Sequence, residues 1–199
     1  MATDGVFPRM FSCASSKLNP LAFNHLWLGG DSQMRASYAN RGKAFEKLIE
    51  RANSQYASKG MAIVQKVPTP WIVIRKGSKI ISAYPEEKST VDFMGVANGK
   101  AIAFDAKSTR EVTRFPLSNI EQHQMDFLKA IDQQGGRAFF LIEYATKRET
   151  YVISYTSMSE YWENAKRDGR KSIPYSDMSR FHRVTSERGI SLDYLKVVI

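Results

Sequence analysis

Residues 89–109 read STVDFMGVANGKAIAFDAKST. The Asn98-Gly99 pair between two apolar runs is the strongest short-range signal for a β-hairpin with a two-residue turn. With that turn the register follows: Ala97 faces Lys100, Met94 faces Ala103, Phe93 faces Phe104 and Asp92 faces Asp105. Opposed residues in an antiparallel pair have Cβ atoms roughly 4.5–5.5 Å apart, so two carboxylates fall side by side. Lys107 projects from the same face about 6.6–6.8 Å further along. The other face carries Phe93, Ile102, Phe104 and Ala106, an apolar set ready to pack on a core. Opposed like charges destabilise a sheet unless something positive sits between them, and a divalent metal beside a lysine meets that need. An acid two residues before a lysine occurs by chance about once or twice in a chain this long. The weight therefore lies in the conjunction of register, opposed acids and a clean apolar face, which predicts a metal-dependent nuclease site.

Composition narrows the partners. The chain has 199 residues, 43% hydrophobic and 25% charged, as expected of one globular domain with a proper core. Its net charge of +9 and pI near 9.6 point to a polyanion such as nucleic acid. A single cysteine, Cys13, excludes an intramolecular disulfide framework. No apolar run approaches the roughly 20 residues of a membrane span, and the first residues lack the pattern of a secretory signal. The expectation is an intracellular, cytoplasmic protein that faces nucleic acid and not membrane.

Residues 1–36 show no periodicity and are expected to form an N-terminal arm, with 37–199 as the single folded domain. From about Ser37 the pattern is helical: Phe45, Leu48, Ile49 and Ala52 share one face, and Gly60 marks the end. Glu46 lies at the border of that face, where it can lean over a sheet edge toward a metal. Met61–Val67 reads as a strand stopped by Pro68-Thr69-Pro70. Trp71–Arg75 and Lys79–Tyr84 then form the arms of a hairpin tipped with Arg75, Lys76 and Lys79. That hairpin is either a basic edge protected against aggregation or an element that projects onto DNA. Arg110 and Arg114 lie in a polar loop over 109–115. Ser118-Asn119-Ile120-Glu121 is a capping box opening a helix, and Gln124 falls on its apolar stripe with Phe127, Leu128 and Ile131. A glutamine there needs hydrogen-bond partners, which predicts a site-supporting or DNA-contacting role. After Gly135-Gly136 come a strand pair, Arg137–Tyr144 and Thr150–Ser154, and a helix opened by Ser157 and Glu160. Arg170 and Lys171 belong to a basic loop suited to phosphate contacts. The order of elements predicts an α/β class with a mixed sheet flanked by helices.

Six ordered segments resemble the RecU family of Holliday-junction resolvases: SYANRGKAFE (37–46), QKVPTP (65–70), STVDF (89–93), FDAK (104–107), FPLSNIEQHQ (115–124) and GRKSI (169–173). The resemblance implies a restriction-endonuclease-like PD-(D/E)xK core with a protruding β-hairpin stalk at about 71–88. It implies that Asp92, Asp105 and Lys107 are catalytic, with Glu46 beside them as a further metal ligand. It also places Arg41, Lys66 and Thr69 near the site. Mg²⁺ is the implied cofactor, with Mn²⁺ able to substitute. The implied partners are four-way junction DNA, a second copy of the chain, and recombinase or branch-migration proteins at the nucleoid. One departure stands out: the acid of the acid-x-lysine pair is commonly Glu in this family, and here it is Asp105, one methylene shorter. Within the same fold, a fork or flap endonuclease is the nearest alternative. A non-catalytic architectural DNA-binding protein is the second, and a basic RNA-binding protein a weaker third.

Overall fold

The computed structural model describes residues 30–85 and 90–199, with side chains from Gly42 onward apart from 85–89. Residues 1–29 of the arm expected over 1–36, the end of the expected stalk at 86–88 and the Arg41 side chain lie outside them. The chain divides into two units, Met1–Ala36 and Ser37–Ile199. The second unit is built from α1 (Gly30–Ser58, whose first turns belong to the other unit), β1 (Ala62–Lys66), β2 (Trp71–Lys76), β3 (Lys79–Pro85), β4 (Phe93–Ala97), β5 (Lys100–Thr109), β6 (Arg114–Pro116), α2 (Gln122–Gln133), β7 (Arg137–Tyr144), β8 (Glu149–Ser154), α3 (Tyr155–Lys166), β9 (Ser172–Pro174), β10 (His182–Val184) and α4 (Leu195–Val198).

Six strands form one mixed sheet in the order β1-β4-β5-β7-β8-β10. Only β5 and β7 are parallel. Parallel neighbours need a long connection, and the α2 crossover supplies it. The β4–β5 hairpin has the register expected from Asn98-Gly99, from Ala97↔Lys100 to Phe93↔Phe104. Both turn residues have positive φ, 48° and 73°, as the primed turns require. Gly95 on β4 is dictated by crowding instead, since a Cβ there would lie 2.1 Å from the Ile63 carbonyl oxygen on β1.

Both faces of the sheet are covered. On one, Phe45, Ile49, Ala52 and Tyr56 of α1 pack with Ile190, Leu192, Tyr194 and Leu195 against Phe93, Ile102, Phe104 and Phe139. The Phe93, Phe104 and Phe139 rings stack across three strands with centroids 5.0 and 4.7 Å apart. On the other face, Met125 and Leu128 of α2 and Met158 of α3 cover Ala103, Ala138, Phe140 and Ile153. This is the α/β, restriction-endonuclease-like layering expected, a mixed sheet flanked by helices. The C-terminal segment is clasped to α1: the Tyr56 hydroxyl donates to Asp193 Oδ1 (2.9 Å), and Tyr194 donates to Asn53 Oδ1 (2.6 Å). Arg188 completes the clasp with two hydrogen bonds to Asp193, at 2.6 and 2.7 Å.

Several boundaries differ from the sequence expectation. Helix α1 starts at Gly30, seven residues before the periodic pattern; residues 31–36 are adequate helix formers without an apolar stripe. Ser118 does not cap α2. Leu117–Asn119 is a 3₁₀ turn, Ile120 is extended and buried, and Glu121 is the N-cap, paired reciprocally with Gln124. Ser154, rather than Ser157, caps α3 by accepting from the Ser157 N–H at 3.1 Å. The loop over 109–115 yields strand β6, which pairs with β9. Strands β2 and β3 pair only with each other, and residues 71–84 are exposed throughout. No helix among the described residues is long and apolar enough to cross a membrane.

Candidate active site

The site is built where β4 begins and β5 runs beneath α2. Asp92 precedes the ladder by one residue, at a bend, and its backbone carbonyl accepts from the Val67 N–H (2.8 Å). Leaving the ladder lets its Oδ2 reach over the hairpin and accept from the Ala106 N–H of β5, at 2.9 Å. Asp105 points to the α2 face and is fully buried. The Gln124 side-chain amide donates to its Oδ2 at 2.5 Å. That amide's own oxygen accepts from the Glu121 N–H (3.0 Å), so Gln124 ties the start of α2 to the carboxylate. A flipped amide would set donor against donor, which determines the orientation.

Lys107 Nζ stands 2.8 Å from the remaining oxygen of Asp105, Oδ1. Oδ1 is buried, and the Lys107 ammonium is the cation it faces. Burial pushes the Asp105 carboxyl up to about 7; Lys107 opposes the rise and the neighbouring Asp92 adds to it. A buried carboxylate with one oxygen engaged by an amide and the other facing an ammonium, a second carboxylate beside it and only oxygen donors suit a hard divalent cation. Among the described residues no third His, Cys, Asp or Glu completes a cluster with them.

Glu46 lies on α1, which covers the opposite face of the sheet. It pairs with Lys66 of the edge strand β1, and Glu50 lies 3.8 Å from the same amine. The hydrogen bond to Glu46 raises the Lys66 pKa, and Asp92 contributes through space. The pair is therefore close enough to Asp92 to share its field, but on the α1 side. Thr69 is exposed in the segment leading to β2. Arg75 precedes the turn of the β2–β3 ribbon, and Lys76 and Lys79 face each other across it. Arg110 and Arg114 are exposed along the segment leaving β5, and Arg170 and Lys171 lie in the loop before β9. The structure thus brings Asp92, Asp105, Lys107 and Gln124 together, sets Glu46 and Lys66 beside them, and spreads the other cations over the surface.

One feature escaped the sequence reading: the Ala106 N–H is a backbone donor and leaves no trace in residue types.

The model of the family described as "RecU: Recombination protein U" matches residues 40–199. The chain is similar to the Holliday junction resolvase RecU of Levilactobacillus brevis, with 35% identity over 174 residues, 84% of this chain and 87% of that protein. It is 38% identical to the Holliday junction resolvase RecU of Oenococcus oeni over 165 residues, 79% of this chain and 84% of the relative. The protein of the same name from Streptococcus sanguinis is 34% identical over 169 residues, 81% and 84% of the two chains. With the family model covering the whole folded unit but its first three residues, and relatives above 30% identity across most of their length, this chain belongs to the RecU family.

Proposed function

We propose that the protein is a divalent-metal-dependent endonuclease that resolves four-way DNA junctions by paired, symmetric nicks. The observation that carries the reading is the buried Asp105, held at one oxygen by Gln124 and facing the Lys107 ammonium with the other, next to Asp92. Asp92 and Asp105 would hold Mg²⁺ or Mn²⁺, with Glu46 joining them once Lys66 releases it. When bound, such an ion polarises the scissile phosphate and lowers the pKa of a water. The chain's own residues supply the rest. Gln124 and the Ala106 N–H each take one oxygen of a carboxylate and so aim the other. As the ammonium, Lys107 would orient the attacking water or offset charge developing on the phosphate; as the neutral amine it would take the water's proton. Arg75, Lys76 and Lys79 at the ribbon tip, with Arg110, Arg114, Arg170 and Lys171, would hold the junction's backbone. Cutting two strands together calls for two sites, and a C2 homodimer provides them. The substrate places the enzyme in the cytoplasm, at the nucleoid.

The test is cleavage of a labelled four-way junction, with duplex and flap DNA of matched sequence beside it, in Mg²⁺ and in EDTA. Paired nicks confined to the junction and dependent on metal are expected. Asp105→Asn should bind the junction and leave it uncut. Equal cutting of the flap would turn the reading to a fork or flap nuclease, and binding without cleavage in Mg²⁺ or Mn²⁺ to an architectural protein.

A further inference from the structure

A cavity of about 340 Å³ opens on the α1 face of the sheet, at the end where β7 turns into β8. Asp105, Lys107 and Gln124 belong to the α2 face, so this cavity is separate from the candidate active site. Its floor is apolar: Leu48 of α1 with Val184 and Leu192, all packed into the core on that face. The volume lies in the range of small-molecule sites, roughly 300–1,000 Å³. It equals about eleven waters at roughly 30 Å³ each. The chain itself fixes the walls. The Ser191 N–H donates to Gln55 Oε1 at 2.7 Å, and the Ser186 hydroxyl donates to the Ile190 carbonyl at 2.9 Å. Glu143 stands opposite Thr150 in the β7–β8 register, and Ser108 donates to one of its oxygens at 2.5 Å.

Three polar groups line this cavity with bonding capacity to spare. Ser191 Oγ is buried and has no hydrogen bond among the described residues, which calls for a partner. Glu143 is half-buried, and a carboxylate that serves one hydroxyl can accept further donors. Arg148, at the mouth, is exposed, and among the described residues no ion pair or hydrogen bond holds it. Arg183, also on the rim, is turned to Glu149 at 3.4 Å. Arg148 lies two residues along from Thr150, roughly 7 Å at the strand rise. Its guanidinium and the Glu143 carboxylate thus flank the cavity without pairing with each other. A ligand that answers all three groups carries an oxyanion at one end, hydrogen-bond donors at the other and an apolar ring between them. A bare anion would meet Glu143 as a like charge, and a free amino acid would leave most of the volume unfilled.

We propose that this cavity binds a nucleoside monophosphate, with the phosphate at Arg148 and the nucleoside directed toward Glu143 and Ser191. The guanidinium meets the phosphate in a charge-assisted pair. Ribose hydroxyls or a base amine donate to Glu143 and Ser191, and the ring lies on Leu48, Val184 and Leu192. The test is isothermal titration in EDTA with AMP and GMP, and with inorganic phosphate and adenosine as the two halves of the ligand. A nucleotide is expected to bind more tightly than either half. Arg148→Gly and Glu143→Gln should each weaken it about tenfold or more, while Asp105→Asn keeps the parent's affinity. Both cavity variants should melt with the parent: glycine adopts the φ of 53° at position 148 freely, and glutamine can still accept from Ser108. No binding of either nucleotide at millimolar concentration would overturn the proposal. So would inorganic phosphate binding as tightly as the nucleotide, or full affinity in either cavity variant. Loss of binding in Asp105→Asn would move the nucleotide to the nuclease site and overturn it too. The readout involves neither metal nor DNA, so its outcome is independent of the nuclease reading.

Discussion

Asp105→Asn separates what the carboxylate does for the fold from what it does for chemistry. Moving a buried carboxyl from 3.8 to about 7 means that its ionised form costs the folded state about 4 kcal/mol relative to the neutral form, at about 1.36 kcal/mol per pKa unit. The folded pKa lies above the unfolded one. The stability of the protonated state is therefore fully present below pH 3.8 and is lost as pH rises through about 7. Asparagine is nearly isosteric and never ionises, but its amide N–H must face either the Gln124 amide or the Lys107 ammonium, a donor against a donor, and this cost offsets the gain. In EDTA, the stability of the variant relative to the parent should therefore rise by about 2–3 kcal/mol between pH 5 and pH 8, whatever its starting value. Urea unfolding at the two pH values measures the rise. Adding Mg²⁺ should stabilise the parent, which binds it, and leave the variant unmoved. A relative stability that does not rise with pH would refute the reasoning. The nicking assay should find the variant inactive at both pH values.

Gln124→Met should slow nicking by about 10- to 100-fold with junction affinity unchanged, because Asp105 loses its aim while no phosphate contact is touched; single-turnover rates and anisotropy report the two halves. Gly95→Ala should cost at least about 2 kcal/mol and lower the melting temperature, since the new methyl meets backbone of β1 that cannot yield. Hydrogen bonding to Arg188 lowers the Asp193 pKa, so the clasp contributes stability above pH 3.8 that is lost as pH falls through the lower folded value. Arg188→Gln should accordingly be less stable than the parent at pH 7, with a difference that shrinks below pH 4 in urea titrations. Changing both Lys76 and Lys79 to Ala should weaken junction binding and reduce its salt slope by up to about 2.

How much of the fold and site was legible depended on how local the determinant is. The β4–β5 register follows from two turn residues, so the meeting of Asp92 and Asp105 was readable to within one residue. What the register did not contain is that Asp92 leaves the ladder to take the Ala106 N–H. Gln124 was readable from helical periodicity, but its cap was not. Only Ser118 fits the capping-box pattern, yet Glu121 is the N-cap, because Ile120 is extended and buried, a tertiary effect. Strands β6, β9 and β10 have three residues each, too few for a period. Glu46 was readable as a border residue, whereas the side of the sheet it lies on depends on which face α1 covers.

The clasp between α1 and residues 188–195 has a consequence for the order in which the protein is made. Tyr56 and Asp193 meet across 137 positions of chain, so the α1 face of the sheet cannot close until residues 188–195 have left the ribosome. Until then Phe93, Phe104 and Phe139 present a stacked aromatic surface with only part of its cover, a state open to chaperones and to self-association. Closing so long a loop is also slow. Docking of residues 188–195 is thus expected to follow formation of the sheet, and variants that weaken the clasp should lower the yield of soluble protein more than they lower the stability of molecules that have already folded.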